Sequence, residues 1–85
     1  MAFEIRDNTA ENRFELEAEG KLAFTVYALS EGAIELRHTQ VPPELEGKGI
    51  GSALAKYALD FAKANNLEAI VSCPFISKWR QRHPG

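Results

Sequence analysis

Three glycines alternate with other residues where the sequence changes from strand-like to helix-like spacing: Gly47, Gly49 and Gly51. Glycine adopts positive-φ conformations that other residues avoid, so such a segment can turn several N–H groups towards one point. The first turn of a following helix adds more unpaired N–H groups and a partial positive charge. An anion, most simply a phosphate, is the ligand this arrangement favours. The alternative is that the glycines only permit a tight turn between strand and helix.

Two common phosphate-binding motifs do not match this segment. The dinucleotide fingerprint G-x-G-x-x-G needs a third glycine where this sequence has Ser52, and it follows the first strand of its fold. The Walker A motif needs a Gly-Lys-Ser/Thr triplet, whereas Lys48 lies between two glycines. NAD and nucleoside triphosphates are therefore poor candidates for the ligand.

Two further side chains have the chemistry of a nucleophile and of a base. Cys73 follows an apolar strand, and if Pro74 begins a helix, Cys73 is its N-cap, where the helix dipole favours a thiolate. Cys73 is then either a nucleophile or the small buried residue that unpaired cysteines often are. His38 shares the alternation of Ile34 and Leu36, which predicts that it points to the core. It is either a general base or a hydrogen-bonded residue that orders the strand end.

The elements that position these residues are strands in the first half of the chain and mainly helices in the second. Four segments alternate with a period of two, and turn sequences separate them. The alternating sets are Phe3/Ile5, Phe14/Leu16/Ala18, Leu22/Phe24/Val26/Ala28 and Ile34/Leu36/His38. Helical spacing follows over about 51–65, then a strand over 67–71 and a short helix from Pro74 to near Arg82. A crossover of this kind is right-handed, which makes the fifth strand parallel to the fourth.

Length and composition limit the class of protein. The chain has 85 residues, enough for a single domain over 1–85 with a small core. Its 45% hydrophobic and 26% charged residues are typical of a globular protein. The net charge of −2 gives no general attraction to nucleic acid or membranes, so we expect neither as a partner. One cysteine and no leader-like or membrane-spanning apolar run favour the cytoplasm, and no metal ligands are predicted.

Four short motifs, in this order, resemble the GCN5-related N-acetyltransferase family, and in particular its very small single-domain branch. The motifs are His38-Thr39-Gln40-Val41-Pro42, Gly47 to Gly51, Cys73-Pro74-Phe75 and Arg82-His83-Pro84. Gly49 and Gly51 fit the glycines of the family's pyrophosphate-binding signature, whereas Glu46 stands where the family prefers Gln or Arg. The resemblance implies an α+β fold: a four-stranded antiparallel sheet, the glycine-loop helix, a parallel fifth strand and a short C-terminal helix.

The resemblance also implies acetyl-CoA or CoA as the cofactor. In the family, the strand before the loop separates from its neighbour and pairs with the pantetheine arm, while the loop and the first helical turn hold the pyrophosphate. The cofactor-binding residues implied are Thr39, Gln40, Val41, Gly47, Lys48, Gly49, Ile50, Gly51, Ser52 and Pro74. Lys48 is expected to act as a point charge. The catalytic candidates are Cys73 and His38, and a third possibility for Cys73 is that it lines the acyl pocket without reacting.

The function implied is an acetyl-CoA-dependent N-acetyltransferase. It would move an acetyl group to a primary amine on a small molecule or a protein, directly or through Cys73. The alternative from a different class is a non-catalytic module that binds or senses CoA or acyl-CoA, because so short a chain lacks the extra elements that form the acceptor pocket of larger acetyltransferases. A module that binds phosphopeptides or nucleotides through the same loop is a third reading. We expect a monomer or a weak homodimer.

Overall fold

A computed structural model describes residues 3–83, and its elements follow the predicted order. The strands are β1 (Ile5–Asn8), β2 (Arg13–Ala18), β3 (Lys21–Ser30), β4 (Ala33–Gln40) and β5 (Glu68–Val71). The helices are α1 (Ile50–Ala64) and α2 (Pro74–Arg82), and a short 3-10 turn (Pro43–Leu45) precedes the glycine loop. The predicted α+β fold is confirmed, while Pro84 of the last motif lies outside the described residues. Neither helix is long and apolar enough to cross a membrane, within residues 3–83.

The five strands form one sheet in the order in which they occur along the chain. Strands β1 to β4 pair antiparallel with one another in succession, and β5 pairs parallel with β4 as predicted. This parallel pairing runs from Ala33 opposite Glu68 to Leu36 opposite Val71 and then ends, although β4 continues to Gln40. The last residues of β4 therefore extend past the end of β5.

Both helices pack on one face of the sheet, which we call the covered face, and the opposite side is the open face. The strands contribute Phe14, Leu16, Ala23, Tyr27, Ile34 and Leu36 to the core, and the other elements contribute Leu45, Ile50, Leu54, Ala55, Ala58, Ala62, Cys73 and Ile76. The alanines of α1 have little side-chain volume, so the helix backbone can approach the sheet closely. Burial of this apolar surface is the main stabilising term for the fold.

On β3, the larger apolar side chains lie mostly on the open face and not on the covered face. Ala23, Thr25 and Tyr27 are buried beneath the helices. The apolar set seen in the sequence lies half-buried on the open face: Leu22, Phe24, Val26 and Ala28. Both alternating sets of β3 are largely apolar, so periodicity could not choose between them. Tyr27 fits the core because its ring packs 4.6 Å from that of Phe14 and its hydroxyl donates to Asp7 at 2.5 Å.

A β-bulge interrupts the pairing of β3 with β4. Tyr27 lies opposite Leu36, but the next residue of β3 towards its N-terminus, Val26, lies opposite His38. Arg37 is therefore an extra residue with no partner of its own on β3. An extra residue of this kind reverses which side chains face each side of the sheet beyond it and bends the strand.

Charged side chains cover part of the open face. The carboxylate of Glu15 accepts hydrogen bonds from Asn8 at 2.9 Å, Arg13 at 2.5 Å and Arg6 at 3.4 Å, and the residue is only 4% exposed. The hydrogen bonds from Asn8 and Arg13 hold the pKa of Glu15 below its ordinary value. The Arg13 guanidinium also lies 4.7 Å from the centre of the Phe24 ring, a cation–π contact.

Candidate functional site

A cleft of about 600 Å³ lies between the end of β4, the glycine loop and the first turns of α1 and α2. Eight of the ten predicted cofactor-binding residues line it: Thr39, Gln40, Val41, Gly47, Gly49, Ile50, Gly51 and Ser52. Leu45, Glu46 and Phe75 complete the lining. The volume lies within the range of small-molecule sites in proteins. The predicted residues are thus brought together in one place, at the edge of the covered face.

The glycine loop has the backbone conformation that its sequence suggests. Gly47 and Gly49 adopt φ values of 83° and 80°, which other residues rarely adopt. Gly49 is the N-cap of α1, no side chain caps this helix, and its first turn holds no acidic residue. The first hydrogen bond of helix α1 runs from the N–H of Ala53 to the carbonyl of Gly49. The N–H groups of Ile50, Gly51 and Ser52 therefore have no acceptor within the helix. The cleft therefore has N–H donors at one end.

Gly51 is a glycine for a different reason. It is helical and does not have a positive φ. A Cβ atom at this position would lie 2.6 Å from Cζ of the Phe75 ring, closer than real Cβ contacts. The missing side chain therefore makes room for an aromatic ring from α2, whereas Gly47 and Gly49 satisfy the shape of the loop.

The end of β4 forms the opposite side of the cleft. Within residues 3–83, no strand pairs with β4 beyond Leu36 on the β5 side. The N–H groups of Ser72 and Cys73 both donate to the Leu36 carbonyl at 3.0 Å, and the chain then turns into α2. The separation of the two strands that the resemblance implies is therefore present. An extended ligand can pair with such an edge as an additional strand would.

The bulge decides which side chain of β4 faces the core at this point. Thr39 lies on the covered face opposite Thr25, with 3.0 Å between their hydroxyl oxygens. His38 is exposed on the open face, with its ring 6.4 Å from that of Phe24. The prediction that His38 points to the core is wrong, because Arg37 shifts the alternation by one residue. His38 does not line the cleft, so its predicted role as a base lacks geometric support.

Cys73 occupies the predicted position as the N-cap of α2, ahead of Pro74 at the start of the helix. Its side chain is buried, with the residue 3% exposed, and the thiol donates to the Thr39 hydroxyl at 3.5 Å. Cys73 does not line the cleft itself. The thiol thus lies behind Thr39, and its role as a nucleophile stays a prediction.

Two predicted cofactor-binding residues lie outside the cleft lining. The ammonium of Lys48 donates to the carboxylate of Glu19, on the turn between β2 and β3. Pro74 begins α2 and is exposed, and the neighbouring residue that enters the lining is Phe75. No local sequence pattern assigns Phe75 to the site. The signal that identifies it is spatial, since Phe75 contacts a glycine 24 positions earlier in the chain.

Comparison with known proteins agrees with this architecture. A family model described as GCN5-related N-acetyl-transferase matches residues 13–85. The chain belongs to this family. Proteins named Protein NATD1 are similar to this chain over 51 residues, which is 60% of its length. The Bos taurus protein is 43% identical over 45% of its own length, and the Mus musculus and Homo sapiens proteins are 41% identical over 46% and 45% of theirs.

The matched segment therefore spans less than half the length of these relatives. The comparison identifies this chain as an acetyltransferase domain of the GCN5-related type. Domains of this family generally use acetyl-CoA.

Proposed function

We propose that this domain is an acetyl-CoA-dependent N-acetyltransferase that acts on a primary amine. The observation that carries the proposal is the cleft, which joins an end lined by glycine-loop and helix N–H groups to a strand edge that no described strand pairs with. Its lining includes two accessible apolar side chains, Val41 and Phe75, and the buried Leu45 and Ile50 lie beneath it. Coenzyme A has the matching parts in the same sequence: a pyrophosphate, a partly apolar arm with amide groups, and a thiol end.

The backbone is the main element that would hold the cofactor. The N–H groups of Ile50, Gly51 and Ser52 would bind the pyrophosphate, because each lacks a helical acceptor and the helix dipole favours an anion there. The β4 edge over 39–41 would pair with the pantetheine amides. Lys48 pairs with Glu19 at the surface, and the arrangement proposed here does not depend on it. Glu46 lines the cleft with a carboxylate, which lowers the affinity that the N–H groups provide.

When bound, acetyl-CoA supplies an acetyl thioester for transfer to an amine. We propose that Cys73 supports Thr39 at the end of the cleft and is not itself acetylated, because its thiol is buried and hydrogen-bonded to Thr39. Mass spectrometry of a quenched mixture with acetyl-CoA should then show no added acetyl group. An adduct that disappears in Cys73→Ala would instead establish the covalent route.

One observation favours the second candidate, a CoA- or acyl-CoA-binding module without turnover. Neither His38 nor Cys73 lines the cleft, so the side chains with catalytic chemistry are not at the surface a ligand would meet. Release of CoA in the presence of a panel of amines, including polyamines, amino sugars and lysine peptides, supports the enzyme. Cofactor binding without release from any acceptor supports the module.

The cofactor assignment is tested by calorimetric titration with CoA, acetyl-CoA and ATP. We expect CoA and acetyl-CoA to bind and ATP to bind at least tenfold more weakly. Gly49→Ala should weaken CoA binding by at least tenfold, because alanine at a φ of 80° distorts the loop. Gly32→Ala is the matched control: Gly32 has a φ of 76° but lies in the β3–β4 turn.

Both glycine variants should lose about 1 kcal/mol of stability, since both strain a left-handed backbone position. Only Gly49→Ala should lose affinity for CoA. Equal CoA affinities in the two variants would contradict the assignment of the loop as the pyrophosphate site.

A further inference from the structure

Phe75 is an exposed aromatic residue on the wall of the cleft. Three large apolar side chains are prominently exposed on the described part of the chain: Leu29 at 55%, and Ile70 and Phe75 at 44% each. Of these, Phe75 lines the cleft. An aromatic ring held in water at the wall of a concave site gains hydrophobic free energy when a ligand covers it. This exposure therefore points to an apolar contact that a ligand completes.

The position of the ring indicates which part of the ligand makes that contact. Phe75 touches Gly51, in the first turn of α1, where the proposed pyrophosphate site lies. The strand edge at Thr39 and Gln40 lines the same cleft. The pantetheine arm is the part of CoA that joins the pyrophosphate to the thiol end, so it must run between these two walls. The adenosine is attached to the opposite side of the pyrophosphate.

We infer that Phe75 packs against the pantetheine arm and makes the site selective for ligands that carry this arm. The inference rests on the proposed cofactor. Gly51 contributes to this contact, because its missing side chain allows the Phe75 ring to lie against the first turn of α1, beside the proposed phosphate site. The pair Gly51–Phe75 thus connects the two helices at the point where the arm leaves the pyrophosphate.

The test compares three ligands by calorimetric titration: CoA, phosphopantetheine, which lacks the adenosine, and adenosine 3′,5′-bisphosphate, which lacks the arm. Phe75→Ala should weaken CoA and phosphopantetheine by the same factor, about five- to tenfold, the loss expected for part of a phenylalanine side chain's burial. Binding of the bisphosphate should not change. Ile70→Ala is the matched control, because Ile70 is equally exposed but lies on β5 outside the cleft lining.

A second variant perturbs the ring without removing it. Gly51→Ala adds one methyl group, which cannot coexist with the present ring position, while the helical backbone at this residue accepts alanine. It should weaken CoA binding, but by no more than Phe75→Ala does, because the exposed ring can shift away from the added methyl group. The double variant should bind CoA no more weakly than Phe75→Ala alone. A further loss in the double variant would mean that the methyl group blocks the phosphate directly, and the pairing of the two residues would be wrong.

The outcomes separate this inference from the proposed function. Wild-type protein that does not bind CoA overturns both. Wild-type protein that binds CoA, with an unchanged dissociation constant in Phe75→Ala, overturns the role of Phe75 alone. A loss restricted to CoA and adenosine 3′,5′-bisphosphate would show that the ring stacks on adenine, which also contradicts the inference.

Discussion

The two faces of the sheet are stabilised by different kinds of interaction. The covered face is closed by apolar packing against both helices, with Phe14, Leu16 and Ile34 at most 1% exposed. The open face has no helix within the described residues and relies on the charged group around Glu15 and on half-buried apolar side chains. The cleft lies at the end of β4, where Thr39 is on the covered face and His38 is exposed on the open face. The chemistry proposed for this site depends on which face each residue of β4 occupies.

The comparison predicts a large difference between two leucines on neighbouring strands. Leu16→Ala on the covered face should reduce the free energy of unfolding by about 2 to 5 kcal/mol, because Leu16 is 1% exposed and its loss leaves a cavity. Leu22→Ala on the open face should cost less than about 1.5 kcal/mol, because that side chain is only partly buried. Urea denaturation measures both values. Equal losses would mean that the open face is covered in solution, for example by a second copy of the chain.

Replacing the buried carboxylate tests the open face more directly. Glu15→Gln keeps the shape but removes the charge that Arg13 and Arg6 surround, and should cost roughly 1 to 2 kcal/mol at neutral pH. Glu17→Gln, at an exposed position of the same strand, is the control and should change stability by less than about 0.5 kcal/mol.

The same carboxylate gives a pH dependence whose sign follows from its pKa. The pKa of Glu15 is lowered in the folded state from an ordinary value of 4.5. Its stabilisation is therefore fully present above pH 4.5 and is lost as the pH falls through the lower folded value. Wild-type protein should lose stability over this range more steeply than Glu15→Gln. Parallel pH profiles of the two proteins would contradict the assignment.

The smallest effect is expected at His38. His38→Ala should change the free energy of unfolding by less than about 0.5 kcal/mol and leave the affinity for CoA unchanged, because the side chain is exposed and outside the cleft lining. The rate of acetyl transfer to an amine should change by less than about threefold. A large loss of rate with normal CoA binding would show that the acceptor is deprotonated from the open face.

The sequence predicted the elements and most of the site because both depend on local patterns. Helix α1 begins at Ile50 and ends at Ala64, each one residue from the predicted boundary, and Pro74 opens α2 as expected. Loop residues such as Gly47 and Gly49 were identified because positive φ is a property of single residues.

What the sequence did not predict depends on contacts between distant residues. No glycine or proline marks the bulge at Arg37 in the sequence, so the alternation alone predicts, wrongly, that His38 points to the core. The contact of Phe75 with Gly51 and the pairing of Lys48 with Glu19 join separate elements and have no local signal. Tertiary packing determines which face of a strand is buried and which residue pairs with a charged side chain.

The bulge has a consequence for insertions and deletions. Arg37 is the one residue of β4 that has no partner on β3, because Leu36 and His38 pair with adjacent residues of β3. A single-codon deletion of Arg37 would leave Thr39 opposite Thr25, with both faces of the strand preserved. Such a deletion would instead remove the bend in β4. The number of residues in β4 therefore determines the bend of the cleft edge, whereas the identities of its residues determine which side chains line the cleft.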